Sequence, residues 1–546
     1  MKQSMYRPRR ADGVLLSLVI WIAGAGAAFA IAPASVAADP CDDAAATYCD
    51  TDQNEHVLAR IGFGGNEWSR QRVLDIGSFF YLRQQLFPEQ IADPEFEQAL
   101  VPYSTGPFAT WGKSIEELRP QFCGVNQTFC TDRRAGLNHV NWQLGEIKLL
   151  RATLSRRQLE AVLLDFWLNH FNVDGNSAIA RIAMQSYETD AIAPHALGRF
   201  EDLLRSVSLA PAMLDYLDLK RSRRGNTNEN FARELLELHT VGKVGTYDEI
   251  DVQEVTKILT GYTSNPPDFV TNYVPGRHVN GTKTVTLENT EPWVFDGNLG
   301  CDGRPAEAFA TEAEVLFCLL ALHPKTAEFV SRKLITRFVS EEVPDELLQR
   351  SMSAWQASRG NLRAVMLATL ASKEFLGIED HWGTKFARPQ LFTARVARAL
   401  GVDVLGESLI TSQGGNVNRF ENSFNGVMAD LELMGEALYK AAPPTGYPES
   451  SLAWVSAGGA LVRLNLVQRL IAPIPNPAQR YGVPQGATSA QMVDALVERF
   501  IPRGVEPATR TSVISFLDDL PASAGRNTRT RQAAILLLST PEFLMH

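Results

Sequence analysis

Two histidines carry the clearest chemical signal in this sequence. His170 closes an apolar stripe of Leu159, Val162, Leu163, Phe166, Trp167 and Phe171, and His239 falls on a helical wheel among Phe231, Ala232, Leu235 and Leu236. Glu229 and Glu234 flank that second face, while Arg233 and Glu237 point nearly opposite. An imidazole on an apolar face must find a partner, because a buried polar group left unsatisfied costs about 1–3 kcal/mol. One reading is structural: Asn169, Asn228 and Asn230 satisfy the rings and cap helices. The other is a site in which His170, Glu234, His239, Asn169 and Asn230 converge, with His278 and Lys283 closing over it. Histidine and carboxylate together could bind a divalent metal or carry out acid–base catalysis, and Lys283 could hold an anionic substrate. Glu229, Arg233 and Glu237 stand at i, i+4 spacing and read first as a ladder of ion pairs, each worth about 0.2–0.5 kcal/mol.

Missing motifs narrow the chemistry. The chain has no H-E-x-x-H and so is no standard zincin. It lacks a G-x-S-x-G elbow, a P-loop, a G-x-G-x-x-G fingerprint and a C-x-x-C-H haem attachment. Those absences argue against serine hydrolases, nucleotide enzymes and c-type cytochromes, and neither haem nor nucleotide is expected.

The elements that would position these residues are mostly helical. Ser155 to Gln158 has the form of a capping box, opening the helix that carries His170. Asn226 with Glu229 forms a weaker box, opening a helix to about Thr240. Gly242 and Gly245 then break the chain, and Thr246 to Glu249 caps a third helix with Val252, Val255, Ile258, Leu259 and Tyr262 on one face. Periodicity predicts further helices over 311–322, 326–339, 345–356, 361–373, 388–400, 427–440 and 457–471. Between 264 and 305 the pattern changes. Phe269–Val274 and Thr282–Leu287 are rich in β-branched and aromatic residues around Pro275-Gly276, which predicts a β-hairpin carrying His278 and Lys283. Residues 402–426 and 472–488 read as loops. Two blocks share an order of features: L-I-T-R-F-V-S-E-E-V-P to L-A-S-K-E-F-L (334–376) and L-V-E-R-F-I-P-R-G-V-E-P to L-S-T-P-E-F-L (496–544). The expected fold is therefore a mainly α, multi-helix globular protein with a small inserted β-hairpin and a duplicated helical subdomain.

The first forty residues follow the grammar of a secretory signal. Lys2, Arg7, Arg9 and Arg10 precede an apolar run from Val14 to about Ala30, and small residues such as Ser35-Val36-Ala37 then offer a cleavage point. An uncleaved anchor is the alternative, but alanine and glycine make the run weakly hydrophobic. Loss of four basic groups and one acid with residues 1–37 takes the net charge from −10 to about −13. So acidic a chain is ill suited to nucleic acid or anionic membranes, and no later segment is apolar enough to span a bilayer. The remaining chain exceeds one core, dividing as a disulfide-bearing helical region 38–140, a central helical domain 141–400 with the hairpin insertion at 264–305, and a C-terminal helical domain 401–546. Export makes disulfides credible for the six cysteines. They fall in local pairs, Cys41/Cys49, Cys123/Cys130 and Cys301/Cys318, although nearest-neighbour pairing is one of about fifteen connectivities. The spacings do not make zinc knuckles.

At F-W-L-N-H-F-N-V (166–173) and N-E-N-F-A-R-E-L-L-E-L-H-T (228–240) the chain resembles the bacterial domain-of-unknown-function 1800 family. Other segments agree in order: A-R-I-G-F-G-G (59–65), Y-D-E-I-D-V-Q-E-V-T-K-I-L-T-G-Y (247–262), H-P-K-T-A-E-F-V-S-R-K-L (323–334), K-F-A-R-P (385–389), and P-P-T-G-Y-P (443–448) with Trp454. The likeness runs from about residue 55 to the C-terminus. The family's H-D-x-G-x-K reads here H-V-N-G-T-K (278–283), with Val279 in place of the aspartate. The resemblance implies an exported helical protein without an accepted reaction. It also implies a partner, because such genes often sit beside one encoding an exported sulfatase-like protein. Two functions follow as expectations: a binding or assembly module for another exported protein, periplasmic or extracellular, or a hydrolase of unassigned class using the His/Glu cluster. Open, concave geometry around His170, His239 and Lys283 would favour the hydrolase; sealed histidines would favour the module.

Overall fold

A computed structural model of the chain describes residues 51–105, 109–123, 134–177, 179–243, 246–264, 269–288, 290–377, 383–402 and 426–546; of residues 51, 120–123 and 134–139 it describes the backbone only. The expected signal segment, Cys41, Cys49 and Cys130 lie outside these residues, as do the side chain of Cys123 and nearly all of the 402–426 loop.

The mainly α expectation holds. The helix Gln158–His170 is buried on nearly every side, carrying not only its apolar stripe but also Gln158, Asp165 and His170 inward. A helix buried all round is a central one. It packs against the helices Arg134–Leu154 and Ser78–Gln85 and the π-helical turn Tyr187–Ile192, and the buried apolar residues form one continuous cluster from Val57 to Phe543. No helix among the described residues is long and apolar enough to cross a membrane.

Two helix starts differ from expectation. Ser155 makes no capping box: its hydroxyl donates to Asp93 and accepts from Arg157 N at 3.0 Å. Gln158 turns into the core instead, where its amide oxygen accepts from Phe63 N at 2.9 Å. Asn226 is taken up in a tight turn, exchanging main-chain hydrogen bonds with Arg223 around Gly225, whose φ of 82° a side chain would resist. The helix therefore opens at Asn230, with Asn228 Oδ1 accepting from Asn230 N at 2.9 Å. The third start is a true capping box of Asp248 and Asp251 on the helix Glu249–Ile258.

The β insertion is two small ladders, not one hairpin. Strand β1 (Tyr262–Ser264) pairs antiparallel with β2 (Thr271–Tyr273), and β3 (Lys283–Val285) pairs with β4 (Trp293–Phe295). Both sequence-predicted strands exist, yet they do not pair with each other. The reason lies between them: Pro275–Arg277 forms a 3-10 turn, and Arg277 is drawn away to donate to Lys220 O at 3.0 Å. Past β4, a disulfide joins Cys301 to Cys318 on the helix Glu312–Leu322.

The two repeated blocks share one order of elements. Pro324–Phe338, Asp345–Ala357, Leu362–Leu370 and the short Lys373–Leu376 match Ser489–Phe500, Pro507–Asp518, Arg526–Leu537 and the short Pro541–Leu544. Each short helix buries its phenylalanine, Phe375 or Phe543.

Candidate functional site

The helix begun at Asn230 ends in a π-helical turn, Leu235–His239, that carries His239 into the core. His170 and His239 are 2 % and 1 % exposed, and their ring centroids lie 6.2 Å apart. Phe171 packs against both rings, at 4.5 and 5.2 Å. His170 Nε2 stands 3.1 Å from the carbonyl of His239. A carbonyl only accepts, so Nε2 carries the proton and Nδ1 is left as an acceptor. It faces Lys333 Nζ at 2.9 Å. Lys333 was not singled out by sequence; its position in S-R-K-L, on a helix with an apolar inner face, is the signal that could have found it.

Burial, Lys333 and His239 together hold His170 well below the usual histidine range, against the hydrogen bond to His239. Burial, with Lys333 adding, holds His239 down at about 3. Burial likewise lowers Lys333 to about 8, with Glu449 opposing. Both imidazoles are thus neutral and sealed under aromatic side chains. His239 Nε2 has no hydrogen-bond partner among the described residues.

The other expected members stand elsewhere. Asn230 is exposed at its helix start, and Glu234 is half-buried, its carboxyl pushed up by burial and by Glu237. Among the described residues no hydrogen bond or ion pair joins either to His170 or His239. His278 and Lys283 form a separate cluster. His278 Nδ1 donates to Thr260 O at 2.9 Å, and its Nε2 lies 3.1 Å from Lys283 Nζ and 3.3 Å from Glu312 Oε2. Lys283 also donates to Glu312 at 2.7 Å and is 2 % exposed, so its charge is answered within the fold. Burial raises the Glu312 carboxyl, but hydrogen bonds from His278 and Lys283 more than offset it, and the group lies below its usual range. The two ladders therefore do not close over the paired histidines. No group of three or more His, Cys, Asp or Glu side chains among the described residues could hold a metal ion.

Asn169 has a different task. Its side-chain amide donates to Tyr447 O at 2.8 Å and accepts from Tyr447 N at 2.6 Å, pairing with the main chain of the P-P-T-G-Y-P turn. Asn172 donates to Ala441 O and Pro443 O at 2.8 and 2.9 Å. Gly446, at φ 68°, lies so close to Asn169 that a Cβ would stand 2.4 Å from its carbonyl.

Beneath this loop lies a charged network. Asp165 meets Lys148 at 2.8 Å, Arg388 at 3.5 Å and Arg337 at 4.0 Å. Arg388 Nε donates to Glu436 at 3.1 Å, and its Nη1 reaches Glu449 at 3.1 Å. Burial raises the Asp165 carboxyl, but Lys148, Arg388 and Arg337 more than offset it, leaving it well below its usual range. Three cations answer three carboxylates, and four of the six, Lys148, Asp165, Arg388 and Glu436, line a narrow cavity of about 30 Å³, room for a water or two. Such balance suits a structural junction. Asp165 inside L-L-D-F-W and Arg388 inside K-F-A-R-P were legible as polar residues in apolar company, but their partners were not. The segments F-W-L-N-H-F-N-V, S-R-K-L, K-F-A-R-P and P-P-T-G-Y-P thus meet at one place.

A family model described as protein of unknown function (DUF1800) matches residues 56–545. No curated protein and no solved structure matches the chain.

Proposed function

The chain belongs to the DUF1800 family of proteins of unknown function, and from its own geometry we propose that it is an exported binding or assembly module for another exported protein. One observation carries the proposal. The segment bolted down by the charged junction and the helix Ala457–Ile471 that follows it leave three large apolar side chains in solvent: Leu452, Val455 and Leu461 are 84, 59 and 62 % exposed. The segment's anchors are many. Glu449 is held by Arg388, Ser451 Oγ accepts from Phe386 N at 2.8 Å, and Trp454 Nε1 donates to Pro448 O at 3.1 Å. Large apolar side chains this exposed, within ten residues of sequence, are candidates for burial by a partner. The sealed, neutral histidines and the distant Lys283 favour this module over the hydrolase, which needs those groups in one open pocket.

The basic head and apolar run of residues 1–37 support export, as does the Cys301–Cys318 disulfide. The occupant we propose over Leu452, Val455 and Leu461 is the sulfatase-like protein encoded alongside such genes. The test is to purify both mature proteins and measure complex formation by light scattering after size exclusion. A complex is expected with the wild type and not with a Leu452→Asp, Val455→Asp, Leu461→Asp variant of unchanged circular dichroism. No complex with the wild type, or an undiminished one with the variant, refutes the proposal.

A further inference from the structure

Away from the paired histidines, a pocket of about 510 Å³ opens between the helix Thr51–Arg60 and the second repeat. Its size falls within the range of small-molecule sites, about 300–1,000 Å³. Arg395, from the helix Pro389–Leu400, lines it. The stem of Arg395 rests on Gly64, where a Cβ would stand 3.0 Å from its Cγ, and its guanidinium lies 4.7 Å from the centre of the Phe543 ring. It donates from Nη1 to Met545 O at 3.0 Å. A guanidinium offers five N–H donors, and no carboxylate lies within ion-pair reach of this one among the described residues.

Of the other charged residues on the pocket wall, Glu506 is exposed and the rest are engaged within the fold. Arg503 is paired with Asp52 at 2.8 Å, and Glu55 takes Arg70 through both oxygens at 2.6 and 3.0 Å. Glu542 accepts from Glu506 N and Thr509 Oγ1 at 3.0 and 2.8 Å. Among the described residues, Arg395 is thus the lining cation that no carboxylate pairs. The remaining wall is largely apolar, with Phe500, Ile501, Pro502, Val505 and Pro507.

We propose that this pocket binds a small organic monocarboxylate, Arg395 clasping the carboxylate while the apolar wall takes the body of the ligand. A planar carboxylate matches the guanidinium fork in two parallel hydrogen bonds. A dianion such as a phosphate monoester is disfavoured, because of the two lining cations Arg503 is already paired with Asp52, while Glu55, Glu506 and Glu542 stand on the same wall. Burial lowers Arg395 to about 10, so it keeps its charge at neutral pH.

Calorimetric titration of the mature full-length protein with benzoate, benzamide and phenyl phosphate tests the proposal. Benzoate is expected to bind at least about tenfold more tightly than either of the others. Arg395→Met, which keeps a flexible apolar stem beside Phe543, is expected to remove that preference. Val505→Trp leaves the guanidinium in place but fills the pocket, and is expected to weaken benzoate similarly, so a fold defect in the first variant does not decide the matter. Equal binding of benzoate and benzamide, tighter binding of phenyl phosphate, no heat with benzoate, or undiminished binding in Val505→Trp would overturn it.

Discussion

His170 donates through Nε2 to the main-chain carbonyl of His239, and that single hydrogen bond fixes the tautomer which lets Nδ1 accept from Lys333. The bond couples the central helix to the end of the π-helical turn, and its consequences are measurable.

Both rings are held neutral in the fold, but each titrates near 6.5 once unfolded. Below that pH the unfolded chain takes up protons that the folded chain refuses. Stability therefore falls as pH drops from 6.5 toward about 3, by at most about 1.4 kcal/mol per unit for each histidine. His239→Phe removes one of these terms. Urea unfolding at pH 7.5 and 5.5 should show a difference about 1 kcal/mol smaller in the variant; an unchanged difference contradicts the assignment.

Glu146 has the opposite sign. It is buried, with Oε2 unpartnered among the described residues, and burial raises it to about 8 against a hydrogen bond from Tyr103. Between pH 4.5 and 8 the folded chain keeps a proton that the unfolded chain releases, so stability falls as pH rises through that window. Glu146→Gln should match the wild type near pH 5 and exceed it by about 1–3 kcal/mol at pH 8. Thermal unfolding at the two pH values reads this directly, and a variant less stable at both refutes it.

Asn172 spans two carbonyls of the Pro-rich turn. Asn172→Ala should cost about 1–3 kcal/mol by leaving them unsatisfied. Limited proteolysis should then cut within 441–456 faster than in the wild type. Equal cleavage rates would mean that the turn is held by its other contacts.

Arg388 answers Glu436, Asp165 and Glu449 at once. Arg388→Met strands buried carboxylates and should cost about 3–5 kcal/mol. Adding Glu436→Gln should restore part of that loss. A double variant no better than the single one in chemical denaturation would count against the pairing.

The Cys301–Cys318 disulfide closes a loop of separation 17. Replacing both with serine should lower stability by about 3 kcal/mol in the chain-entropy account. A loss below about 0.5 kcal/mol in urea unfolding would show that reduction leaves the unfolded chain already restrained.

The helical class, the repeat and the inward faces of His170 and His239 were all legible in the sequence, because amphipathic periodicity is a local property. The repeat shows it well: both blocks close on a short helix that buries its phenylalanine, as the matching K-E-F-L and P-E-F-L ends suggested. Grouping the site residues was not legible. Glu234 and Asn230 share a chain segment with His239, yet the π-helical turn rotates only the histidine fully inward. His278 and Lys283 share a strand region with β-forming neighbours, but which strand pairs with which was decided by the Pro275–Arg277 turn and by Arg277 reaching Lys220.

Composition and spacing by themselves determined a helical chain with two histidines on apolar faces. Only the tertiary structure decided that His170 answers a lysine 163 positions away in sequence, and that Asn169 holds a loop 278 positions away. The physical reason is that periodicity fixes which way a side chain faces, whereas the partner that satisfies it is chosen by how distant segments pack together.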